Sequence, residues 1–209
     1  MRTRIKICGL TRIEDAVFAA KVGVDAIGLV FYPPSPRCLT LASALQIVSQ
    51  LPAFTSTVGL FVNQQAEIIE ETLDHLAIDT LQFHGEETPA FCRQFSKPYI
   101  KSIAMQEDTD LKKAAESYHD ASALLLDVFD ATAKGGTGRS FDWNLIRQRI
   151  EIPIILAGGL SCSNVSLAIN KVKPYALDVS SGVESAKGIK DQQKIVTFLQ
   201  QVYECDGNE

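Results

Sequence analysis

Residues 4–11 read Arg4-Ile-Lys-Ile-Cys-Gly-Leu-Thr11, and they contain the unit that decides the fold. The isoleucines alternate with Lys6 and Cys8, which is the period of two that is typical of a short β-strand. Gly9 interrupts this alternation, and Thr11 is a suitable N-cap for a helix whose first turn is acidic. We therefore expect Cys8 at the carboxyl end of a strand, where the chain turns into a helix.

The same order of strand and helix recurs eight times along the chain. Apolar segments of four to six residues predict strands, and the segments between them predict helices. A mean spacing of about 25 residues per unit favours one single-domain (β/α)8 TIM barrel over residues 1–209. An open, doubly wound sheet is the alternative, although the first turn lacks the Gly-x-Gly-x-x-Gly fingerprint of that fold. The predicted strands are the one ending at Cys8 and residues 25–30, 57–62, 80–83, 99–103, 123–127, 153–157 and 175–179, with helices at 41–51, 65–76, 89–95, 110–118 and 191–203 and another beginning near Asp142.

The composition is that of an ordinary globular protein without a strongly basic surface. Of the 209 residues, 46% are hydrophobic and 22% are charged, and the formal net charge is −5. No run of five basic residues occurs, so nucleic acid is not expected as a partner. No apolar segment is long enough for a signal peptide or a membrane span, which predicts a cytoplasmic protein without membrane contact.

The five cysteines are widely spaced and form no Cys-x-x-Cys pair. An odd number at this spacing indicates neither a disulfide framework nor a zinc site. We therefore expect a reducing compartment and no bound metal.

Residues capable of acid–base chemistry or charge recognition follow several predicted strands directly. Cys8 ends the first strand, and Asp127 ends the sixth, where an acid after an apolar run is costly unless it is paired or used. Arg37 follows the second strand behind a loop with three prolines, and His84 follows the fourth. Each has an ordinary alternative, namely a packing cysteine, a paired acid, a solvated arginine or a surface histidine. Because all four fall on the rim where barrel enzymes act, we expect one active site there.

Glycine-rich turns follow the last two predicted strands. Gly158 and Gly159 come after the seventh strand, and Ser180, Ser181 and Gly182 come after the eighth. Glycine lets backbone N–H groups approach an anion closely, and the last two loops of a barrel commonly hold phosphate. Tight turns also need glycine for other reasons, so it is the pair of turns on adjacent strands that predicts a phosphate site.

Six motifs occur in order across the chain: Lys6-Ile-Cys-Gly-Leu-Thr11, Pro33-Pro-Ser-Pro-Arg37, Gln82-Phe-His-Gly85, Leu125-Leu-Asp127 with Gly135-Gly-Thr-Gly138, Leu156-Ala-Gly-Gly-Leu160 and Asp178-Val-Ser-Ser-Gly-Val-Glu184. Together they resemble the phosphoribosylanthranilate isomerase family. The resemblance implies an isomerase of tryptophan biosynthesis that needs no cofactor or metal. Its reaction is the Amadori rearrangement of N-(5′-phosphoribosyl)anthranilate to 1-(o-carboxyphenylamino)-1-deoxyribulose 5-phosphate.

The resemblance also implies roles for individual residues. Asp127 is the acid that protonates the furanose ring oxygen, and Cys8 is the base that removes the C2′ proton. Arg37 pairs with the anthranilate carboxylate, while His84 and Asp178 are further substrate-binding residues. A thiol with an ordinary pKa of about 8.5 must be partly ionised to act as a base, so we expect a positive neighbour or a turn dipole to lower the pKa of Cys8. Burial at a strand end favours an Asp127 that keeps its proton.

Two other functions remain possible at this stage. Another phosphosugar barrel enzyme would need a catalytic lysine at the strand ends, as an indole-glycerol-phosphate synthase does, or metal-binding histidines, as a ribulose-phosphate epimerase does. A non-catalytic barrel that only binds a phosphorylated ligand would have no use for the acid–base pair. We therefore expect a small phosphorylated aromatic substrate as the partner and a monomer or a homodimer as the assembly.

Overall fold

The computed structural model describes residues 2–128 and 140–207, so the glycine-rich motif at residues 135–138 lies outside the described residues. Eight parallel strands follow one another around a closed barrel in the order of the chain, and the last strand pairs with the first. This arrangement confirms the predicted (β/α)8 TIM barrel and excludes the open sheet. The strands are β1 (Arg4–Cys8), β2 (Ala26–Val30), β3 (Ser56–Phe61), β4 (Thr80–Phe83), β5 (Tyr99–Met105), β6 (Ala123–Val128), β7 (Ile154–Leu156) and β8 (Ala176–Val179).

Seven α-helices within the described residues pack around the barrel. An antiparallel hairpin of β9 (Glu184–Ala186) and β10 (Ile189–Lys190) follows β8 and precedes the last helix. No helix in residues 2–128 or 140–207 is sufficiently long and apolar to cross a membrane. The helices are α1 (Ile13–Lys21), α2 (Leu41–Val48), α3 (Ala66–His75), α4 (Pro89–Arg93), α5 (Leu111–Ser117), α6 (Val165–Val172) and α7 (Gln192–Gly207).

Successive side chains of each strand lie on opposite sides of the barrel wall. In β6, Leu126 belongs to the large core between the strands and the helices, whereas Leu125 belongs to the smaller core inside the barrel. Asp127, two residues after Leu125, therefore points inward at the upper end of the strand. The same alternation in β1 sends the isoleucines to the outer core and turns Lys6 and Cys8 toward the interior.

The prediction of a helix beginning near Asp142 is wrong. The structure has a single 3₁₀ turn there, Trp143–Leu145, in which the Asp142 carboxylate accepts a hydrogen bond from the Asn144 N–H at 2.9 Å. Ile146, Ile150, Ile152 and then Pro153 follow this turn, and both β-branched side chains and the position before proline disfavour continued helix. The chain therefore passes from this turn directly into β7.

Thr11 does not act as the N-cap that its position suggested. Helix α1 is preceded by Arg12, which makes no side-chain capping bond, and the Thr11 hydroxyl donates instead to the carbonyl oxygen of Gly188. Gly188 lies in the turn of the β9–β10 hairpin, so the Thr11 hydroxyl binds a distant part of the chain instead of capping the helix. This bond fastens the hairpin to the loop that follows β1.

Candidate active site

The carboxyl ends of the strands surround an open cavity of about 690 Å³, counted out to its mouth. Nine of the ten residues that the sequence predicted for the site line it, and Gly182 does not. The cavity therefore brings together side chains from both ends of the chain, as the closed barrel requires. The nine are Cys8, Arg37, His84, Asp127, Gly158, Gly159, Asp178, Ser180 and Ser181.

Cys8 lies beside a buried ammonium that the sequence analysis did not assign to the site. Lys6 precedes it by two residues on the same inward-facing side of β1, and the Lys6 Nζ donates to Asp178 Oδ1 at 2.9 Å. A Cβ added to Gly28 would lie 2.8 Å from Cys8 Sγ and 3.0 Å from Lys6 Nζ. The sulfur and the ammonium therefore share one small space against the bare backbone of β2.

The pKa of the Cys8 thiol is raised in this structure, which is opposite to the shift that we expected. Burial is the largest cause, because the side chain is almost completely shielded from water and the thiolate is poorly solvated there. The positive charges of Lys6 and Lys190 act in the expected direction and lower the pKa, while Asp178 raises it. The expected positive neighbours are thus present, but burial outweighs them.

Asp127 is held by an imidazole ring and by a backbone N–H group. His84 Nε2 lies 3.2 Å from Asp127 Oδ2, and the Val128 N–H donates to Oδ1 at 2.7 Å. His84 Nδ1 lies 3.0 Å from Gln82 Nε2, so the imidazole ring is held between the Gln82 amide and the Asp127 carboxyl group.

Gln82 is a cavity residue that the sequence analysis quoted in a motif but did not assign. Its side chain is fully buried, and its Oε1 has no hydrogen-bond partner within the described residues. A polar residue two positions before His84 on the inward-facing side of β4 was the available signal, because such positions are normally apolar below the rim. Gln82 therefore holds the ring of His84 in place at the wall of the cavity.

Arg37 is anchored by a carboxylate from the hairpin. Its Nε and Nη2 donate to the two carboxylate oxygens of Glu184, each at 2.7 Å, and both side chains are buried. This bidentate pair fixes the plane of the guanidinium at the cavity wall. A guanidinium has five N–H groups, so three remain for a ligand. Glu184 was the last residue of a quoted motif, but its pairing with Arg37 could not be read from the sequence.

Lys190 connects three parts of the rim. Its Nζ donates to Glu184 Oε1 at 2.8 Å, to the backbone oxygen of Cys8 at 2.7 Å and to that of Ser180 at 3.1 Å. The side chain is fully buried, and burial lowers the pKa of Lys190 even though Glu184 acts in the opposite direction. One ammonium therefore holds the turn after β1, the turn after β8 and the carboxylate that anchors Arg37.

The two glycine turns differ in their role. Gly158 and Gly159 have φ angles of +80° and +62°, which side chains rarely adopt, and both line the cavity. A Cβ on Gly182 would lie only 1.9 Å from the carbonyl oxygen of Leu160. Gly182 thus lets the turn after β8 pack against the turn after β7, and any direct contact of Gly182 with phosphate stays a prediction.

A closed (β/α)8 barrel with a thiol, a carboxyl group and an anchored guanidinium around one cavity defines a barrel enzyme of the acid–base type. Residues 5–201 match the family model of N-(5'phosphoribosyl)anthranilate (PRA) isomerase. The N-(5'-phosphoribosyl)anthranilate isomerase of Pseudomonas syringae pv. tomato is 52% identical to the chain, and the match covers 96% of this chain and 97% of the relative. The enzyme of the same name from Nitrosococcus oceani is also 52% identical, and the match covers 97% of this chain and 98% of the relative. The chain belongs to the phosphoribosylanthranilate isomerase family.

Solved structures agree with this assignment. The enzyme from Thermus thermophilus superimposes with a TM-score of 0.88 at 31% identity, covering 97% of this chain and 99% of that one. A phosphoribosylanthranilate isomerase in complex with reduced 1-(o-carboxyphenylamino)-1-deoxyribulose 5-phosphate gives a TM-score of 0.84 at 37% identity, with the same coverage. The resemblance found in the sequence is therefore confirmed for both the family and the fold.

Proposed function

We propose that the cavity at the carboxyl-terminal rim converts N-(5′-phosphoribosyl)anthranilate into 1-(o-carboxyphenylamino)-1-deoxyribulose 5-phosphate by general acid–base catalysis. The observation that carries this proposal is that Cys8 and Asp127 line one cavity together with Arg37 and the two glycine turns. A base, an acid, a carboxylate-binding group and a phosphate-binding region are the four features that this substrate requires. The complex of a relative with the reduced product supports the same ligand chemistry.

Asp127 carries out the first step, which opens the furanose ring. Its proton passes to the ring oxygen, the bond between that oxygen and C1′ breaks, and the lone pair of the anthranilate nitrogen forms a C1′=N double bond. The product of the step is a protonated Schiff base. His84 holds the Asp127 carboxyl group in position at 3.2 Å, so its orientation does not depend on the ligand alone.

Cys8 carries out the second step as a thiolate. It removes the proton from C2′, the electrons of that C–H bond form a C1′=C2′ double bond, and the electrons of the C=N bond return to nitrogen. The resulting enolamine gains a proton at C1′ and loses the hydroxyl proton at C2′, which leaves the ketone. No atom is gained or lost, and no oxidant or reductant takes part.

The remaining residues bind and orient the substrate. Arg37 presents its free N–H groups to the anthranilate carboxylate, and the backbone at Gly158, Gly159, Ser180 and Ser181 receives the phosphate, with Gly182 supporting the turn. The Arg37 loop follows β2 and the phosphate-binding turns follow β7 and β8, so they lie on opposite sides of β1 in the barrel. A substrate held at both places therefore passes over Cys8. Asp178 and His84 line the same path and can accept or donate to the ribose hydroxyls.

The proposal is tested with freshly generated substrate and purified protein in the presence of EDTA, following the loss of anthranilate fluorescence. We expect enzyme-dependent decay that falls about 10²–10⁴-fold in Cys8→Ala and in Asp127→Asn, the range that an acid or base contributes. Cys92→Ala removes an equally buried thiol that lies outside the cavity and serves as the control for folding and turnover.

Three results would contradict the proposal. Full activity in either variant would remove that residue from the mechanism. Absence of decay in the unsubstituted protein, with phosphate esters still bound, would favour the barrel that only binds its ligand. A decay abolished by EDTA would favour a metal-dependent phosphosugar enzyme.

The proposal extends to the cellular location and the oligomeric state of the protein. A catalytic thiol and four further unpaired cysteines suit a reducing compartment such as the cytoplasm. We propose a monomer or a homodimer as the assembly, and a solved structure shows monomers generated from the dimeric phosphoribosylanthranilate isomerase of Thermotoga maritima. Cell fractionation and sedimentation velocity test these two statements, and a stable larger assembly would contradict the second.

A further inference from the structure

Lys6 is a buried charge that the proposed mechanism does not use. It is 4% exposed, it lies inside the barrel below the rim, and one of its three N–H groups is taken by Asp178. A lysine in the interior of a strand is costly, and a buried ion pair contributes little stability compared with well-packed apolar residues. The pair therefore calls for an explanation other than stability.

The position of Lys6 relates it to the base. Lys6 and Cys8 share the inward-facing side of β1, and both the ammonium and the sulfur lie within about 3 Å of the point that a Cβ on Gly28 would occupy. Glycine at position 28 leaves this space open, since any side chain there would push the two groups apart. The ammonium is thus placed between one permanent anion, Asp178, and one group that must become an anion, Cys8.

We infer that Lys6 is a positioning residue that stabilises the Cys8 thiolate, and that Asp178 competes with the thiolate for the same ammonium. This inference rests on the proposed role of Cys8 as the base. When the sulfur is protonated, the charge of the Lys6 ammonium is paired with Asp178. When the sulfur is ionised, the ammonium lies between two anions and holds both.

Other charged groups act on Cys8 but not through this arrangement. Lys190 approaches Cys8 by binding its backbone oxygen, and its charge is already paired with Glu184. Arg37 is likewise paired with Glu184. Asp15 Oδ2 on α1 accepts a hydrogen bond from the backbone N–H of Lys190 and lies 4.0 Å from Arg12 Nε. Neutralising the single carboxylate of Asp178 therefore changes the ion pairing of Lys6 and leaves that of Lys190 and Arg37 intact.

The distinguishing consequence is that two substitutions shift the reactivity of Cys8 in opposite directions. Lys6→Met removes the ammonium, so the pKa of Cys8 rises further and its alkylation at pH 7.5 slows about tenfold or more. Asp178→Asn removes the competing anion, so the pKa of Cys8 falls and its alkylation accelerates. Lys6→Arg keeps the positive charge and restores most of the reactivity that Lys6→Met loses.

The experiment measures iodoacetamide labelling of the full chain between about pH 6 and pH 10, with the extent of modification at residue 8 read by peptide mass spectrometry. Lys101→Met is the matched control, because Lys101 is an equally buried lysine paired with Glu87 at 3.1 Å on the other side of the barrel. We expect no change at Cys8 in that variant. Circular dichroism establishes that each variant is folded, and the double variant Lys6→Met/Asp178→Asn avoids leaving an unpaired buried carboxylate.

Shifts of the same sign in Lys6→Met and Asp178→Asn, or no shift in either folded variant, would overturn the inference. Turnover supplies a second readout. In Lys6→Met, the acidic limb of the kcat/KM profile moves to higher pH in parallel with alkylation, and KM changes little. Failure of the proposed base would look different, since Cys8→Ala would then retain turnover while the labelling shifts persisted in chains that keep Cys8.

Discussion

Glu184→Gln gives the sharpest test of how the hairpin supports the site. The substitution preserves the shape of the side chain but removes a negative charge that is paired with both Arg37 and Lys190. All three side chains are buried, so the two cations lose their shared counter-ion without gaining water. Breaking a buried ion pair by removing one partner costs roughly 3–5 kcal/mol, and the amide oxygen still accepts one bond, which favours the lower end of that range. We expect a loss of about 3 kcal/mol in the free energy of unfolding.

The pH dependence of this loss follows from the pKa of Glu184. Burial alone would raise that pKa, but the hydrogen bonds and charges of Arg37 and Lys190 outweigh it and lower the pKa. A lowered folded-state pKa contributes stability above the unfolded value of about 4.3, and this contribution is lost as the pH falls through the folded value. The difference between the unsubstituted protein and Glu184→Gln should therefore be constant near neutral pH and shrink below about pH 4.

Urea unfolding followed by circular dichroism measures this difference, and steady-state kinetics measures its effect on the substrate. KM should rise about tenfold, equivalent to about 1.4 kcal/mol, because Arg37 loses the anchor that orients it toward the anthranilate carboxylate. Glu14→Gln is the control, since Glu14 pairs with Arg12 on the surface, where solvent screens the pair, and the substitution should leave the unfolding midpoint nearly unchanged. Unfolding and KM values for Glu184→Gln that match the unsubstituted protein would refute the role assigned to the hairpin.

Two further substitutions test the other parts of the rim. His84→Phe removes the contact of His84 Nε2 with Asp127 Oδ2. We expect kcat to fall about 10–100-fold with little change in KM, because one hydrogen bond to the carboxylate that forms as Asp127 gives up its proton is lost. An unchanged kcat in steady-state kinetics would contradict this role. Gly182→Ala would bring a Cβ to 1.9 Å from the Leu160 carbonyl oxygen, so the turn after β8 must move. We therefore expect thermal unfolding to show a lower melting temperature and a smaller stabilisation by inorganic phosphate. An unchanged melting temperature and an unchanged stabilisation by phosphate would show that the close packing there is unimportant.

The sequence predicted the features that depend on local periodicity. The alternation around Cys8 and the apolar run before Asp127 predicted strands whose last side chains turn inward, and the closed barrel then brought these ends together. The pairing of Arg37 with Glu184 joins residues 147 positions apart through a hairpin that no short pattern indicates. The direction of the Cys8 pKa shift was also out of reach, because it depends on the balance between burial and nearby charge.

The electrostatic contrast across the rim matches the two kinds of proton transfer that the reaction needs. The proposed base, Cys8, must become an anion, and it lies near Lys6, Lys190 and Arg37, whose charges favour the thiolate. The proposed acid, Asp127, must begin with a proton, and within residues 2–128 and 140–207 its polar contacts are an imidazole and a backbone N–H rather than a lysine or an arginine. A permanent cation beside Asp127 would stabilise the carboxylate and weaken it as an acid, whereas removal of the cations beside Cys8 would weaken the base. The proposed base and the proposed acid therefore lie in different electrostatic environments of one cavity, and we expect this difference to let a single barrel donate a proton to the ring oxygen and remove another from C2′ at the same pH.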